Sequence, residues 1–263
     1  VAAPFRDGLR RHGEPPYRVA VLHGGPGAAG EVAPVAHALA ARGYGVLEPA
    51  QSARSVSGQV RELKEVLERH GSPPLAVIGW SWGAWLACLL AADSPTLVSR
   101  VILVGSGPFT PEYAATILPT RLSRLTAADA RFLKTCLENN DMGGPASQAR
   151  IMALLAACDT WRAIPQAEAE ADFDPAIYES VWPQAAELRR SGELLRLTGT
   201  IRCPIVAIHG DYDPHPAAGV EEPLRAVARD FRFVPLPRCG HRPWVEQEAR
   251  DIFYRELERA LTG

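Results

Sequence analysis

Pro74-Leu75-Ala76-Val77-Ile78-Gly79-Trp80-Ser81-Trp82-Gly83-Ala84 is the stretch that decides the fold. A short apolar run reads as a buried strand, a Gly-x-Ser-x-Gly pentapeptide follows it, and Ala84 to Ala92 reads as a helix. A strand that turns this sharply into a helix strains the serine backbone, and the flanking glycines remove Cβ atoms that would collide with neighbouring chain. The Ser81 hydroxyl then stands exposed above the sheet edge. The backbone N–H of Trp82 falls at the helix start, where it can stabilise a developing oxyanion. Gly and Ser are also common in ordinary strand-to-helix turns, so the strand before and the helix after carry the weight of this reading.

Two later stretches have the same form. The apolar run Ile205-Val206-Ala207-Ile208 ends in His209-Gly210-Asp211-Tyr212-Asp213, and Phe231 to Leu236 leads to Cys239-Gly240-His241. Serine, acid and histidine follow in that order, each on a loop after a strand, and so at one sheet edge. In such a set His241 takes the Ser81 proton and returns it to the leaving group, while a carboxylate fixes the imidazole tautomer and stabilises its cation. A histidine after a glycine is often only a surface loop residue, but His241 lies just ahead of an amphipathic C-terminal helix. Asp211 and Asp213 compete for the acid role, and an aspartate in such a loop can be a turn former. His209 and His215 read as bystanders.

His23-Gly24-Gly25-Pro26-Gly27 follows the apolar run Val19 to Leu22. Its glycines let a loop come close to a substrate and aim a second N–H, that of Gly25, at the oxyanion position. The same region supports a rival. Gly25-Pro26-Gly27-Ala28-Ala29-Gly30 matches G-x-G-x-x-G after a strand, with Glu48 ending the next apolar run, as in a dinucleotide (NAD(P)) site of an oxidoreductase. That reading leaves Ser81, Asp213 and His241 without a role, so no cofactor and no metal are expected.

On these motifs the chain resembles an α/β-hydrolase of the single-domain-plus-cap type, whose serine–acid–histidine order it shares. The resembling motifs span Leu22 to Trp244. His23-Gly24-Gly25-Pro26-Gly27 and Ser81-Trp82-Gly83 are similar to the proline iminopeptidase branch in particular. The resemblance implies Ser81 as nucleophile, Asp213 as the acid through the Gly-x-x-Asp spacing from Gly210, His241 as base, and the Gly25 and Trp82 N–H groups as oxyanion hole. That branch carries D-Q-R-G-x-G-x-S after its next strand, where this chain has Glu48-Pro49-Ala50-Gln51-Ser52-Ala53-Arg54-Ser55. The branch also carries a Trp-Glu pair that holds the substrate's free amine, whereas here Arg162 follows Trp161 and Pro183 follows Trp182. The expectation is therefore a small-molecule esterase ahead of an aminopeptidase, with a triad-bearing ligand receptor as the non-enzymatic alternative on the same scaffold.

At 263 residues, 47% hydrophobic and 22% charged, the chain suits one soluble globular domain. A formal charge of −2 and a pI near 6.4 leave no basic field for nucleic acid or an anionic membrane. Cys88, Cys136, Cys158, Cys203 and Cys239 are odd in number and widely spaced, against a disulfide framework or a zinc site, and they read as reduced thiols. With no signal-like segment and no apolar stretch of membrane-spanning length, the expected location is cytoplasmic.

Strand and helix patterns alternate from Arg18 to Val104: strands at Arg18–Leu22 and Gly45–Leu47, helices near Glu31–Arg42 and Gly58–His70, then the elbow and a strand from Arg100. This predicts an α/β, mostly parallel, doubly wound sheet with residues 1–106 and 200–263 as its core. Only Val1 to Tyr17 precede the first strand, so the N-terminal strands are expected to be shortened or absent. From 107 to 199 helical periods take over, and an inserted helical cap is expected. Its helices are predicted from a Thr126/Asp129 cap to about Asn139, over Ser147–Ala157 and over Pro175–Arg190. Trp161 and Trp182 are candidate substrate-binding residues in it, with Phe173 and Tyr178 as further aromatics. Glu168, Glu170, Asp172 and Asp174 read as a solvated face.

Overall fold

The computed structural model describes residues 5, 8–138, 144–165 and 172–263. One sheet runs in the order β1 (Leu9–His12), β4 (Gly45–Pro49), β2 (Tyr17–Leu22), β5 (Leu75–Trp80), β6 (Val98–Val104), β8 (Ile205–Gly210) and β9 (Phe231–Leu236). Every neighbouring pair is parallel except β1 with β4, where Leu9 stands opposite Pro49 and His12 opposite Val46. Among the described residues, the N-terminal part thus contributes one short antiparallel edge strand of four residues.

Side chains alternate across a strand, and both faces of this sheet are covered. Ala20, Leu22, Val77, Val101 and Leu103 face one layer, built on α2 (Val56–His70) and α3 (Trp82–Asp93). Val19, Val21, Ile78, Ile102 and Val104 face the other, built on α1 (Ala33–Ala40) and α11 (Arg250–Thr262). Double coverage is why the central strands read as unbroken apolar runs. Helix α3 is buried from Trp82 to Ala91 on all sides, so it shows no amphipathic period of its own. Ser55 caps α2 by accepting from the Gly58 N–H at 3.1 Å.

Between β6 and β8 the chain forms α4 (Pro111–Ala114), α5 (Ile117–Ser123), α6 (Ala127–Glu138), α7 (Pro145–Cys158), α8 (Pro175–Arg190) and α9 (Glu193–Thr198), followed after β8 by α10 (Ala218–Val227). Thr126 Oγ1 accepts from the Asp129 N–H at 3.2 Å and donates to its carboxylate at 2.8 Å, so the sequence-read cap does start α6. Asp174 starts α8 by accepting from Ala176 N–H at 2.9 Å. The short helices α4, α5 and α9 are additions to the sequence reading, because so few turns leave too little periodic pattern to read. Leu194 and Thr198 of α9 are buried where it packs beside α3, against the sheet layer.

A small ribbon pairs β3 (Ala28–Ala29) with β7 (Asp172–Phe173), and the Asp174 N–H donates to the Gly27 carbonyl at 2.9 Å. This corrects the dinucleotide reading of residues 25–30. The outer side of that loop is occupied by the chain from Asp172 to Asp174. Helix α1 starts only at Ala33, with Val32 as its N-cap, so the glycines do not open a helix onto a pyrophosphate.

Candidate active site

Ser81 ends the β5 turn at φ 54°, ψ −114°, a conformation that costs a non-glycine residue about 1–3 kcal/mol. Packing enforces it. A Cβ on Gly79 would collide with the Gly83 carbonyl, and one on Gly83 with the carbonyls of Leu22 and His23, so both glycines let α3 press onto the ends of β5 and β2. The Ser81 N–H donates to the Val104 carbonyl at 3.0 Å, which fastens the elbow to β6. Trp82 is the first residue of α3, where a backbone N–H has no intrahelical acceptor. Gly25 lies on the loop after β2, the strand beside β5, in a turn closed by the Ala28 N–H donating to the Gly25 carbonyl at 2.9 Å. Behind it His23 is fully buried, with Nδ1 2.9 Å from the Gly24 carbonyl, and burial lowers its pKa to about 4.

Asp213 follows β8 and His241 follows β9, neighbouring strands that bring the two loops together. His241 Nδ1 lies 2.8 Å from Asp213 Oδ2. The other carboxylate oxygen, Oδ1, accepts from the His215 backbone N–H at 2.9 Å and lies 2.8 Å from His215 Nδ1. A carboxylate acceptor puts the protons of both rings on Nδ1, which leaves His241 Nε2 with a free lone pair. The two rings stack with centroids 4.3 Å apart. Burial works against the Asp213 charge, but the facing His241 and His215 hold its pKa well below the usual carboxylate range. Burial and the neighbouring His241 lower His215 to about 4, in spite of Asp213, so it is neutral at pH 7. Asp211 is exposed, and its Oδ1 accepts from the Cys239 N–H at 3.3 Å, so it braces the loop and does not meet His241.

The His241 backbone is fixed from three directions that no sequence motif announced. Its N–H donates to the Asp159 carbonyl at 2.7 Å and its carbonyl accepts from Trp80 Nε1 at 2.9 Å. Glu246, fully buried, accepts from the N–H groups of Trp161 at 2.9 Å, Arg162 at 2.8 Å and Gly240 at 2.8 Å. Asp159 in turn holds Arg121 in a bidentate pair at 2.8 and 2.6 Å. Cys239, two residues before His241, is buried, and burial pushes its thiol pKa up, away from nucleophilic use.

A pocket of about 260 Å³ opens at Ser81, bounded by Trp82, Trp85, Trp182, Arg121, Arg189 and His215 among others. Trp182 stacks on Trp85 with centroids 6.1 Å apart, and Tyr178 stacks on Trp182 at 6.0 Å. Trp161 is elsewhere: it is 43% exposed, edge-on to Tyr212 at 5.0 Å, and is not among the pocket residues. Of the acids read as a solvated face, Asp172 and Asp174 are exposed, while Glu168 and Glu170 lie outside the described residues. Donor atoms of Asp213, His215 and His241 lie within 4.8 Å of one another, a spacing that a metal ion could bridge. Each carboxylate oxygen of Asp213 already faces the Nδ1 of one histidine, which accounts for that closeness. No helix of the described residues is long and apolar enough to cross a membrane.

A strained serine at a strand-to-helix elbow, with an acid and a histidine after later parallel strands, defines a class, and residues 17–241 match the family model for the alpha/beta hydrolase fold. The chain belongs to that family. It is 25% identical over 195 residues to a pimeloyl-[acyl-carrier protein] methyl ester esterase of Nitrosomonas europaea, covering 70% of this chain and 71% of that one. Among solved structures, VinJ superposes with a TM-score of 0.76 at 19% identity over 99% of this chain and 97% of that chain. A proline iminopeptidase of Mycobacterium smegmatis superposes with a TM-score of 0.65 at 16% identity over 96% and 94%.

Proposed function

We propose that the protein is a serine hydrolase that cleaves an ester or amide bond of a small molecule through an acyl-enzyme, and that esters are the preferred class. The observation that carries this is the buried Asp213–His241 hydrogen bond beside the pocket that holds Ser81. Family membership supports hydrolysis as the reaction. In this reading Ser81 Oγ attacks the carbonyl carbon as His241 Nε2 takes its proton, and the ionised Asp213 stabilises the imidazolium. The N–H groups of Trp82 and Gly25 receive the negative charge of the tetrahedral intermediate. His241 then gives its proton to the leaving group, and water repeats the sequence to release the acid. The helices between β6 and β8 act as the cap, with Trp182 as a wall of the pocket.

The ester preference rests on charge. A free α-amine is a cation and needs a buried carboxylate beside it when it leaves water. None of the described residues lining the pocket is acidic. The similarity to an acyl methyl ester esterase points the same way. The test is a panel of p-nitrophenyl esters of rising chain length beside aminoacyl-p-nitroanilides, the prolyl one included, with Ser81→Ala as control. Ester turnover that vanishes in Ser81→Ala is expected. Prolyl-anilide exceeding ester in kcat/KM would overturn the ester preference, and activity surviving in Ser81→Ala would overturn the serine mechanism.

A further inference from the structure

The pocket beside Ser81 holds a cation that none of the described residues neutralises. Arg189, on the last turn of α8, is partly buried with its guanidinium carbon 5.3 Å from the Trp85 ring centroid, and it lines the pocket. Among the described residues it has no hydrogen bond and no ion pair. The acid nearest in sequence, Glu187, is taken by Arg190 at 2.7 Å through both oxygens. The pocket's other guanidinium, Arg121, is matched by Asp159. The remaining titratable wall residue, His215, spends Nδ1 on Asp213. Among the described residues the pocket therefore has an excess positive charge at its Trp85 wall, and its lining is otherwise mostly apolar and aromatic.

Burial lowers the Arg189 pKa, and no carboxylate acts to restore it. A half-desolvated cation without a partner is unfavourable unless a ligand supplies one. The cation–π contact with Trp85 uses none of the guanidinium N–H donors, and among the described residues that fork of donors has no acceptor. That fork matches the two oxygens of a carboxylate or phosphate. Ser81 is the N-cap of α3 and Trp85 is the fourth residue of that helix, about one turn further along. A substrate whose carbonyl sits at Ser81 can lay an apolar arm along Trp85 and Trp182 and present its far end to Arg189.

We propose that the natural substrate carries an anionic oxyacid group, carboxylate or phosphate, at the end of the arm that runs from Ser81 along Trp85, and that Arg189 receives it. This rests on the serine hydrolase reading above. It also explains why the pocket suits no free amine, since an ammonium group would meet Arg189 unscreened.

The test compares p-nitrophenyl esters of ω-carboxyacyl and ω-phosphonoacyl chains with neutral n-acyl esters of matched length, in the wild type, Arg189→Gln and Arg189→Glu. At the best length, the anionic ester should exceed its neutral match in kcat/KM by about tenfold, the value of one charge-assisted contact. Arg189→Gln should remove that ratio and Arg189→Glu should invert it. A preference for either anion supports the proposal, and the larger one names the acid. Neutral esters preferred at every length would overturn it, as would an anion preference that survives both substitutions. Because the readout is a ratio within one enzyme preparation, partial misfolding of a variant cancels. Normal neutral-ester turnover with no anion preference sinks this inference alone, whereas no ester turnover and no reaction at Ser81 sinks the hydrolase reading with it.

Discussion

Asp213 divides its two oxygens between two imidazoles, and this makes its role separable from that of Asp211, two residues earlier. Asp213→Asn keeps the shape but cannot stabilise the His241 cation and favours the wrong tautomer, so ester turnover should fall by about ten-thousandfold. Asp211→Asn should cost far less, since Asp211 only accepts one long loop bond. Steady-state rates of the two variants decide it, and a reversed ranking would move the acid role to Asp211. Ser81, Asp213 and His241 were legible as candidates because each follows closely on an apolar run, a local pattern. His215 read as a bystander because ring stacking on His241 depends on how two loops from different strands meet. Trp80, Asp159 and Glu246, which fix the His241 loop, were illegible for the same reason. Trp161 lies away from the pocket, in the bend after α7, because an aromatic in a connecting segment says nothing of which way that segment turns.

At the scale of elements, the elbow and the loop of His241 are held by packing that can be cut at single points. Gly83→Ala would drive a methyl group into the carbonyls that end β2, and α3 is buried all round with nowhere to retreat. The variant should be strongly destabilised, by about 3 kcal/mol or more, on the scale of core overpacking. Glu246 tests the tie between the inserted helices and the sheet. Glu246→Ala leaves the buried N–H of Gly240 and the part-buried N–H groups of Trp161 and Arg162 without that acceptor, at about 1–3 kcal/mol for each that water does not reach. Glu246→Gln keeps an acceptor and should recover much of that loss. Urea unfolding of the pair gives the stabilities, and equal stability of Glu246→Ala and wild type would show that the tie carries no weight. The strands β2, β5, β6, β8 and β9 were readable as apolar runs, the helices α2, α8 and α11 from period and caps, and α3 from its place after the elbow motif. The ribbon of β3 and β7 was not, since two-residue strands have no period.

Between about pH 4 and 8 the molecule as a whole should show a pH-dependent stability set mainly by His23, His215 and Glu31. His23 and His215 lie at about 4 in the fold against an ordinary 6.5. The unfolded chain therefore takes up protons between pH 6.5 and 4 that the fold refuses, and stability falls as pH drops through that window, by at most about 3 kcal/mol per histidine. Glu31 acts in the opposite sense. Burial raises it from 4.5 to about 7, its Oε2 has no hydrogen-bond partner, and its contribution is full below pH 4.5 and lost as pH rises through 7. Two histidines against one glutamate leave a net rise in stability from pH 4.5 to 6.5. Glu31→Gln should steepen that rise and make the protein more stable than wild type at pH 8. Urea midpoints across this range check both statements, and a wild-type midpoint that falls from pH 4.5 to 6.5 would contradict the assignment. Whether Ser81 is an activated nucleophile is decided by the intact mass of the native protein after treatment with a fluorophosphonate probe. A single adduct is expected, mapped to Ser81 and absent from Ser81→Ala, because only an activated serine attacks phosphorus at a useful rate. An unmodified mass, or an adduct mapped to any other serine, would contradict it.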